Sequence, residues 1–282
     1  NGNGYSINYT GNGSALDISA TSLVTINNLN VNATTNGAYG ITISSTDPNV
    51  KLSGCTIKAD TRGISMYPVG GSTNSYLEIT STNILNSRVT DYENDTTVGD
   101  TRGIALFDVE NSQIKVLNGS TIRGFGYSIN TSNNLVNGIR AGGNTYTIED
   151  SSITGWSAFN VWTVGNTFNI TNSILKGISD LDGEWNNFAT FVINNGIYNG
   201  TAGAANNVNI KGGEVSAYKN GTANHNCFLE SSETRTNFTF IMNGSDYVTL
   251  KYDEYYETPF SVSAPATTIT VSGIENTEWI EI

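Results

Sequence analysis

Residues 50–67 read VKLSGCTIKADTRGISMY. The first part, Leu52-Ser-Gly-Cys-Thr-Ile57, is an apolar residue, four small or polar ones and a second apolar residue. The second part, TRGISMY (61–67), sets Ile64 and Met66 two positions apart around Ser65. Successive side chains of a strand point to opposite faces, so each part reads as a short strand with an inward apolar set.

Both phrases recur, in the same order, along most of the chain. The first returns as Ile26–Val31, Ile79–Ile84, Leu117–Ile122, Ile148–Ile153, Ile170–Leu175 and Ile210–Val215. The second returns as GSALDIS (13–19), AYGITIS (38–44), TRGIALF (101–107), VNGIRAG (136–142) and AFNVWTV (158–164). Weaker copies are FATFVIN (188–194), NCFLES (226–231) and PFSVS (259–263). A repeat of this length, with insertions around 86–99, 179–187 and 196–206, predicts a solenoid. Stacked copies would lie about 4.8 Å apart. They place Ile41, Ile64, Ile104, Ile139, Val161, Phe191 and Phe228 in one buried column. A β-sandwich would instead show hairpin turns between neighbouring strands.

Composition agrees. Asn, Gly, Ser and Thr dominate, and Asn and Gly suit tight turns with positive φ. Only 4 Pro interrupt the ladders. The net charge is −12, with Lys+Arg 13 against Asp+Glu 25. An acidic chain lacks the basic face that nucleic acid and anionic membranes need. No apolar run is long enough for a transmembrane helix, and no signal peptide opens the sequence. The chain reads as a mature or trimmed segment of a larger secreted or cell-surface protein.

These units resemble the pectate-lyase-like parallel β-helix superfamily, in 50–67 and again in YTIEDSSITGWSAFNVW (146–162). The resemblance covers roughly residues 5–245. It implies an all-β, single-stranded right-handed parallel β-helix of about nine coils, spanning 1–245. The stretch 246–282, with YDEYYETPF, would supply a last coil and a C-terminal cap. That superfamily contains lyases, hydrolases, tailspikes and adhesins, so the resemblance fixes an architecture and leaves the activity open.

Catalytic motifs of the family are missing. Polygalacturonase-like hydrolases carry Asn-Thr-Asp, Asp-Asp, Gly-His-Gly and Arg-Ile-Lys, and none occurs here. His225, the single histidine, is flanked by Asn. Cys55 and Cys227 fall about five coils apart, roughly 24 Å, beyond disulfide reach. No cofactor is expected. Calcium is the one possible ion, through the acidic loop Asp180, Asp182 and Glu184. A similar loop holds Asp91, Glu93, Asp95 and Asp100, and the simpler reading of both is an acidic solvated loop.

The surface carries a more specific pattern. Asp60-Thr61-Arg62-Gly63 is repeated as Asp100-Thr101-Arg102-Gly103. Aligning copies stacks Tyr39, Arg62, Arg102, Asn137 and Phe159, and beside them Thr42, Ser65, Ala105, Arg140 and Trp162. Tyr67 and Phe107 form a further stacked pair. Aromatic faces pack on apolar sugar faces, and Arg offers a planar fork to carboxylates. Tyr39, Arg62, Tyr67, Arg102, Phe107, Arg140 and Trp162 are therefore the expected ligand-binding residues. The alternative is a scaffold in which Arg62 and Arg102 pair with Asp60 and Asp100. Function is expected to be adhesin-like or carbohydrate-binding, with an extracellular glycan as partner and no catalysis. The other reading is a polysaccharide lyase or glycoside hydrolase working around Arg140, Arg102, Trp162 and the 180–184 carboxylates.

Overall fold

Each turn of the chain contributes three short strands. In the computed structural model the described residues are 1–88, 101–133, 141–179, 191–193, 206–219, 229–230, 238–242, 248–252 and 267–271. The first turn is β1 (Ser6–Tyr9), β2 (Ser14–Ile18) and β3 (Val24–Asn27). The second is β4 (Asn30–Ala33), β5 (Tyr39–Ile43) and β6 (Asn49–Ser53), and the third β7 (Thr56–Ala59), β8 (Arg62–Met66) and β9 (Tyr76–Thr80). The fourth is β10 (Asn83–Asn86), β11 (Arg102–Phe107) and β12 (Gln113–Leu117). Beyond it β13 (Thr121–Ser132), β15 (Ser152–Val161) and β16 (Thr167–Ser179) each bend across two faces, with β14 (Thr145–Glu149) between the first two.

Strands pair in parallel with their counterparts one turn away, so three faces run along one axis. The first face is begun by β1, β4, β7 and β10, the second by β2, β5, β8 and β11, the third by β3, β6, β9 and β12. This is an all-β parallel β-helix, with about six turns complete by Thr171. Ladders continue through β17 (Phe191–Ile193), β18 (Asn206–Lys219), β19 (Leu229–Glu230) and β20 (Phe238–Met242). β21 (Val248–Tyr252) and β22 (Thr267–Val271) extend the first and third faces within the stretch expected to close the array.

Turn chemistry is repeated as strictly as the strands. At the corner from the third face to the first, Asn28, Ser81, Asn118, Asp150 and Asn172 have φ between 47 and 53°, and Gly54 has 63°. Asn, Asp and Gly tolerate this left-handed conformation best, which explains much of the composition. Just inside the corner lies a ladder of small polar side chains. Thr82 Oγ1 accepts the Cys55 N–H (3.2 Å), Ser120 Oγ accepts the Thr82 N–H (3.2 Å), and Ser173 Oγ accepts the Ser151 N–H (3.1 Å). Each hydroxyl also donates to a carbonyl of its own turn, so buried backbone groups at a sharp bend find partners. Cys55 is one rung of this ladder, buried, with Sγ 3.4 Å from the Ser53 carbonyl oxygen. Cys227 and His225 lie outside the described residues.

A second ladder occupies the corner from the second face to the third. Ser112 Oγ accepts the Ser75 N–H (2.8 Å), Asn144 Oδ1 the Ser112 N–H (3.0 Å) and Asn166 Oδ1 the Asn144 N–H (3.1 Å). Asn144 and Asn166 are fully buried. An Asn carries two N–H donors beside its acceptor where a hydroxyl carries one donor, and Asn166 Nδ2 donates to both the Thr163 carbonyl (3.1 Å) and the Thr163 hydroxyl (2.9 Å).

The interior is filled by stacked columns. Leu16, Ile41, Ile64, Ile104, Ile129 and Phe159 form the column of the second face, and the backbone ladder of that face runs on to Phe191. Each buried Ile stabilises the fold by roughly 1.5–3 kcal/mol. On the third face Val50, Leu77, Ile114, Tyr146 and Phe168 pass from aliphatic to aromatic along the axis. Tyr146 and Phe168 stack at 4.4 Å, and Phe168 meets Phe159 edge-on at 5.3 Å.

The register corrects the sequence reading at three points. The fifth copy of the second phrase is the latter part of β13, GYSINTS (126–132), so Ile129 takes the place expected for Ile139. Phe159 then stacks on Ile129, and Val161 on Thr131. β13 runs from one face to the next without an insertion, and Ser128 replaces the Gly that marks other copies. Leu229, not Phe228, pairs with Phe191. Finally Val116, not Leu117, aligns with Ile79 and Ile148; Asn118 and Gly119, both of positive φ, lengthen that corner by one residue.

Candidate ligand-binding face

The second face owes its shape to glycine. Gly40, Gly63 and Gly103 stack where the chain enters β5, β8 and β11. A Cβ on Gly63 would fall 2.2 Å from Ile84 Cγ2 and 2.6 Å from the Gly103 carbonyl oxygen. Only glycine lets the backbone come this close to the core of the first face.

That approach sets Tyr39, Arg62, Arg102 and Tyr127 in one column at the strand starts. The Arg62 guanidinium carbon lies 4.9 Å from the Tyr39 ring centre and 4.9 Å from that of Phe107. Its Nη1 donates to Ser65 Oγ at 3.3 Å. Arg102 sits 5.9 Å from the Tyr127 ring centre. These are cation–π contacts within the protein. Arg62 is held between two rings rather than extended toward solvent, and it does not pair with Asp60.

Asp60 is taken instead by Arg88, through Nε to Oδ1 and Nη2 to Oδ2, both at 2.6 Å. The Gly37 N–H (2.7 Å) and the Thr61 hydroxyl (3.1 Å) donate to the same carboxylate. Burial favours the neutral acid, but the Arg88, Gly37 and Thr61 hydrogen bonds outweigh it and hold the Asp60 carboxyl below its ordinary value.

The strip beside the Arg column is closed, not open as expected. Ser65 (2%), Ala105 (0%), Asn130 (2%) and Asn160 (5%) are buried, and Asn160 Nδ2 donates to Asn130 Oδ1 at 2.9 Å. Asn130 takes the position expected for Arg140, and Asn160 that expected for Trp162. Trp162 falls two positions later. Its N–H donates to the Thr131 carbonyl, which continues the ladder one residue past Val161. Phe107 pairs with Ser132, so Tyr67, Phe107, Ser132 and Trp162 occupy one column.

Tyr67 and Phe107 meet edge-on, ring centres 5.9 Å apart at 88°. Tyr67 is 55% exposed and Trp162 is half-buried. Beside Tyr67 the corner to the third face is lengthened by the insertion Pro68-Val69-Gly70-Gly71. It encloses a hollow of about 620 Å³, lined among others by Asp47, Tyr67, Val69, Asp108 and Glu110. Val69 is 77% exposed. Asp47 Oδ1 accepts hydrogen bonds from the Ser72 hydroxyl (2.8 Å) and the N–H groups of Thr73 (3.0 Å) and Asn74 (3.1 Å). Those donors, Ser72 foremost, hold its carboxyl below its ordinary value and rigidify the rim.

Asp47, Val69, Asp108 and Glu110 escape sequence reasoning because they lie on the corner, outside the repeated phrases. The available signal is the Gly-Gly insertion directly after an exposed aromatic. Arg140, Asp100 and the calcium candidates Asp180, Asp182 and Glu184 lie outside the described residues. Among the described residues no group of three or more His, Cys, Asp or Glu could hold a metal ion. Among the described residues no helix is long and apolar enough to cross a membrane.

The fold and this face define the chain as a parallel β-helix with an aromatic column opening beside a corner hollow. No family model, curated protein or solved structure matches it.

Proposed function

We propose that this chain is a secreted or cell-surface β-helix of the pectate-lyase-like kind that binds an extracellular glycan without catalysing its cleavage. The observation that carries the reading is Tyr67. A tyrosine ring 55% exposed, braced edge-on by Phe107, borders a hollow of about 620 Å³. An aromatic ring offers a sugar its apolar face, and the carboxylates of Asp47, Asp108 and Glu110 offer acceptors to its hydroxyls. One turn of the helix rises about 4.8 Å, so Trp162 stands roughly 14 Å along the axis from Tyr67. The column therefore suits an extended oligosaccharide lying along the axis, with Phe107 between its ends.

Arg62 and Arg102 enter this reading as supports for the rings, not as ligands. The test is titration of the protein with a panel of neutral, acidic and basic oligosaccharides, followed by calorimetry. Tyr67→Ala should weaken the binding found for wild type by about tenfold or more, since aromatic anchors dominate such sites. Full retention of affinity in Tyr67→Ala removes this face. Release of shortened oligosaccharides during the titration would instead favour a lyase or hydrolase.

A further inference from the structure

Basic residues recur at one outward position of the first face, on every second rung. The parallel register stacks Lys58 on Leu85, Leu85 on Arg123, Arg123 on Thr154 and Thr154 on Lys176. The same register runs on through Ser216 to Lys251. Lys58, Arg123, Lys176 and Lys251 thus alternate with the uncharged Leu85, Thr154 and Ser216. One rung rises about 4.8 Å, so neighbouring cations stand about 9.6 Å apart along a straight row.

Lys58 and Arg123 are exposed, and neither has a hydrogen bond, ion pair or ring contact among the described residues. Other basic side chains are engaged. Arg88 holds Asp60, Arg62 and Arg102 lie against rings, and Lys51 and Lys115 flank the Tyr76 ring. The column beside the row reads Thr56, Asn83, Thr121, Ser152 and Ile174, and the first acidic residue to enter it is Glu214. Net charge is −12 for the whole chain, yet stacking gathers cations on this face and keeps carboxylates off it through six rungs.

We infer that the first face is a second binding surface, separate from the Tyr67 face, for a long acidic polysaccharide with a carboxylate on every second sugar. An extended pyranose unit is close to one rung in length, so a chain lying along the axis meets a cation once per disaccharide. Leu85, half-buried between Lys58 and Arg123, offers apolar surface to the intervening ring. The hydroxyls of Thr56, Thr121 and Ser152 and the amide of Asn83 flank the same path with donors and acceptors. A carboxylate on every sugar would set half of them over Leu85 and Thr154, where no cation answers them. Nucleic acid fits worse, since a duplex strand carries a phosphate about every 3.4 Å and the acidic remainder of the protein repels it.

The experiment measures binding to the full chain by calorimetry at low and at high salt. The probe is an oligosaccharide of alternating glucuronate and N-acetylglucosamine, about ten sugars long, enough to reach from Lys58 to Lys251 at about 4.8 Å per rung. It should bind about tenfold more tightly than its carboxyl-reduced counterpart, each exposed charge pair contributing a few-fold. That advantage should shrink at high salt. It should disappear in the double variant Lys58→Gln, Arg123→Gln, whose unfolding midpoint checks that the fold is intact. Lys51→Gln with Lys115→Gln removes the same charge from the third face and should retain the advantage, as should Tyr67→Ala. Equal affinity for the charged and reduced probes, equal loss in the two double variants, or loss in Tyr67→Ala overturns the inference. So does tighter binding of an oligogalacturonate or a single-stranded oligonucleotide of equal length. The Tyr67 reading stands or falls separately, on the oligosaccharide panel above.

Discussion

Arg88 grips Asp60 across one turn of the helix through two hydrogen bonds of 2.6 Å. The carboxylate side chain is 6% exposed and the arginine 31%. The same carboxylate reaches back to the Gly37 N–H of the preceding turn, so one acidic residue ties three turns together at one corner. Arg88 also stands immediately before the long insertion that separates β10 from β11, and its N–H is anchored on Asn86 Oδ1.

Removing the arginine leaves a nearly buried carboxylate without its charge partner. Arg88→Ala should lower the unfolding free energy by about 2 kcal/mol, between the limits for exposed and buried pairs. Urea denaturation of the two proteins measures it. An unchanged midpoint would mean the clamp contributes nothing.

Acid should act through the same group. The Asp60 carboxyl is held below its ordinary value when folded, and so is Glu78, which accepts the Tyr76 hydroxyl and lies beside Lys51. A depressed folded value contributes stability that is fully present above the unfolded value, near 4, and is lost as pH falls through the folded one. Stability should therefore hold down to about pH 4 and fall below it. Asp60→Asn should be less stable at neutral pH and lose less on acidification. A wild-type profile that declines already from pH 7 would contradict this assignment.

The glycine column gives a sharper steric prediction. Gly63→Ala places a methyl group 2.2 Å from Ile84 Cγ2. Overpacking of this kind costs about 3 kcal/mol or prevents folding. Val69→Ala, at a side chain 77% exposed, should change stability by no more than about 0.5 kcal/mol. Denaturation midpoints of the pair test the contrast, and equal effects would argue against the tight approach of the first and second faces.

Ser120 probes the inner ladder. Its hydroxyl accepts the Thr82 N–H and donates to the Leu117 carbonyl, both inside the corner. Ser120→Ala should cost about 1–3 kcal/mol, because a buried N–H loses its acceptor. Amide hydrogen exchange at Thr82 should accelerate in the variant, and unchanged protection would show that the ladder does not hold the backbone there.

The architecture was largely legible because its determinants are periodic. Ile41, Ile64 and Ile104 recur at matching places in their repeats, and the positive-φ corners announce themselves as Asn and Gly. Ile129 was misplaced because Ser128 hides the Gly-Ile signature and β13 crosses a corner without an insertion. A separate two-residue slip, with Val161 taken for the inward position that Phe159 holds, carried Trp162 into the wrong column. Tyr67 and Phe107 could be paired from spacing alone, since both follow the same phrase. The Asp60–Arg88 clamp could not, because the nearer Arg62 competes for Asp60 in sequence but is drawn between two rings in space. The corner hollow was invisible for a different reason. Asp47 comes from the second turn and Asp108 and Glu110 from the fourth, and only the stacking brings them to one place.

Hydrogen–deuterium exchange with and without a bound oligosaccharide tests the central claim most directly. Taking the tightest binder from the panel, the account predicts added protection in the peptides covering 61–73 and 101–110, and none on the third face around Lys51 and Lys115. Protection confined to other peptides, or binding with no change in these two, would contradict it.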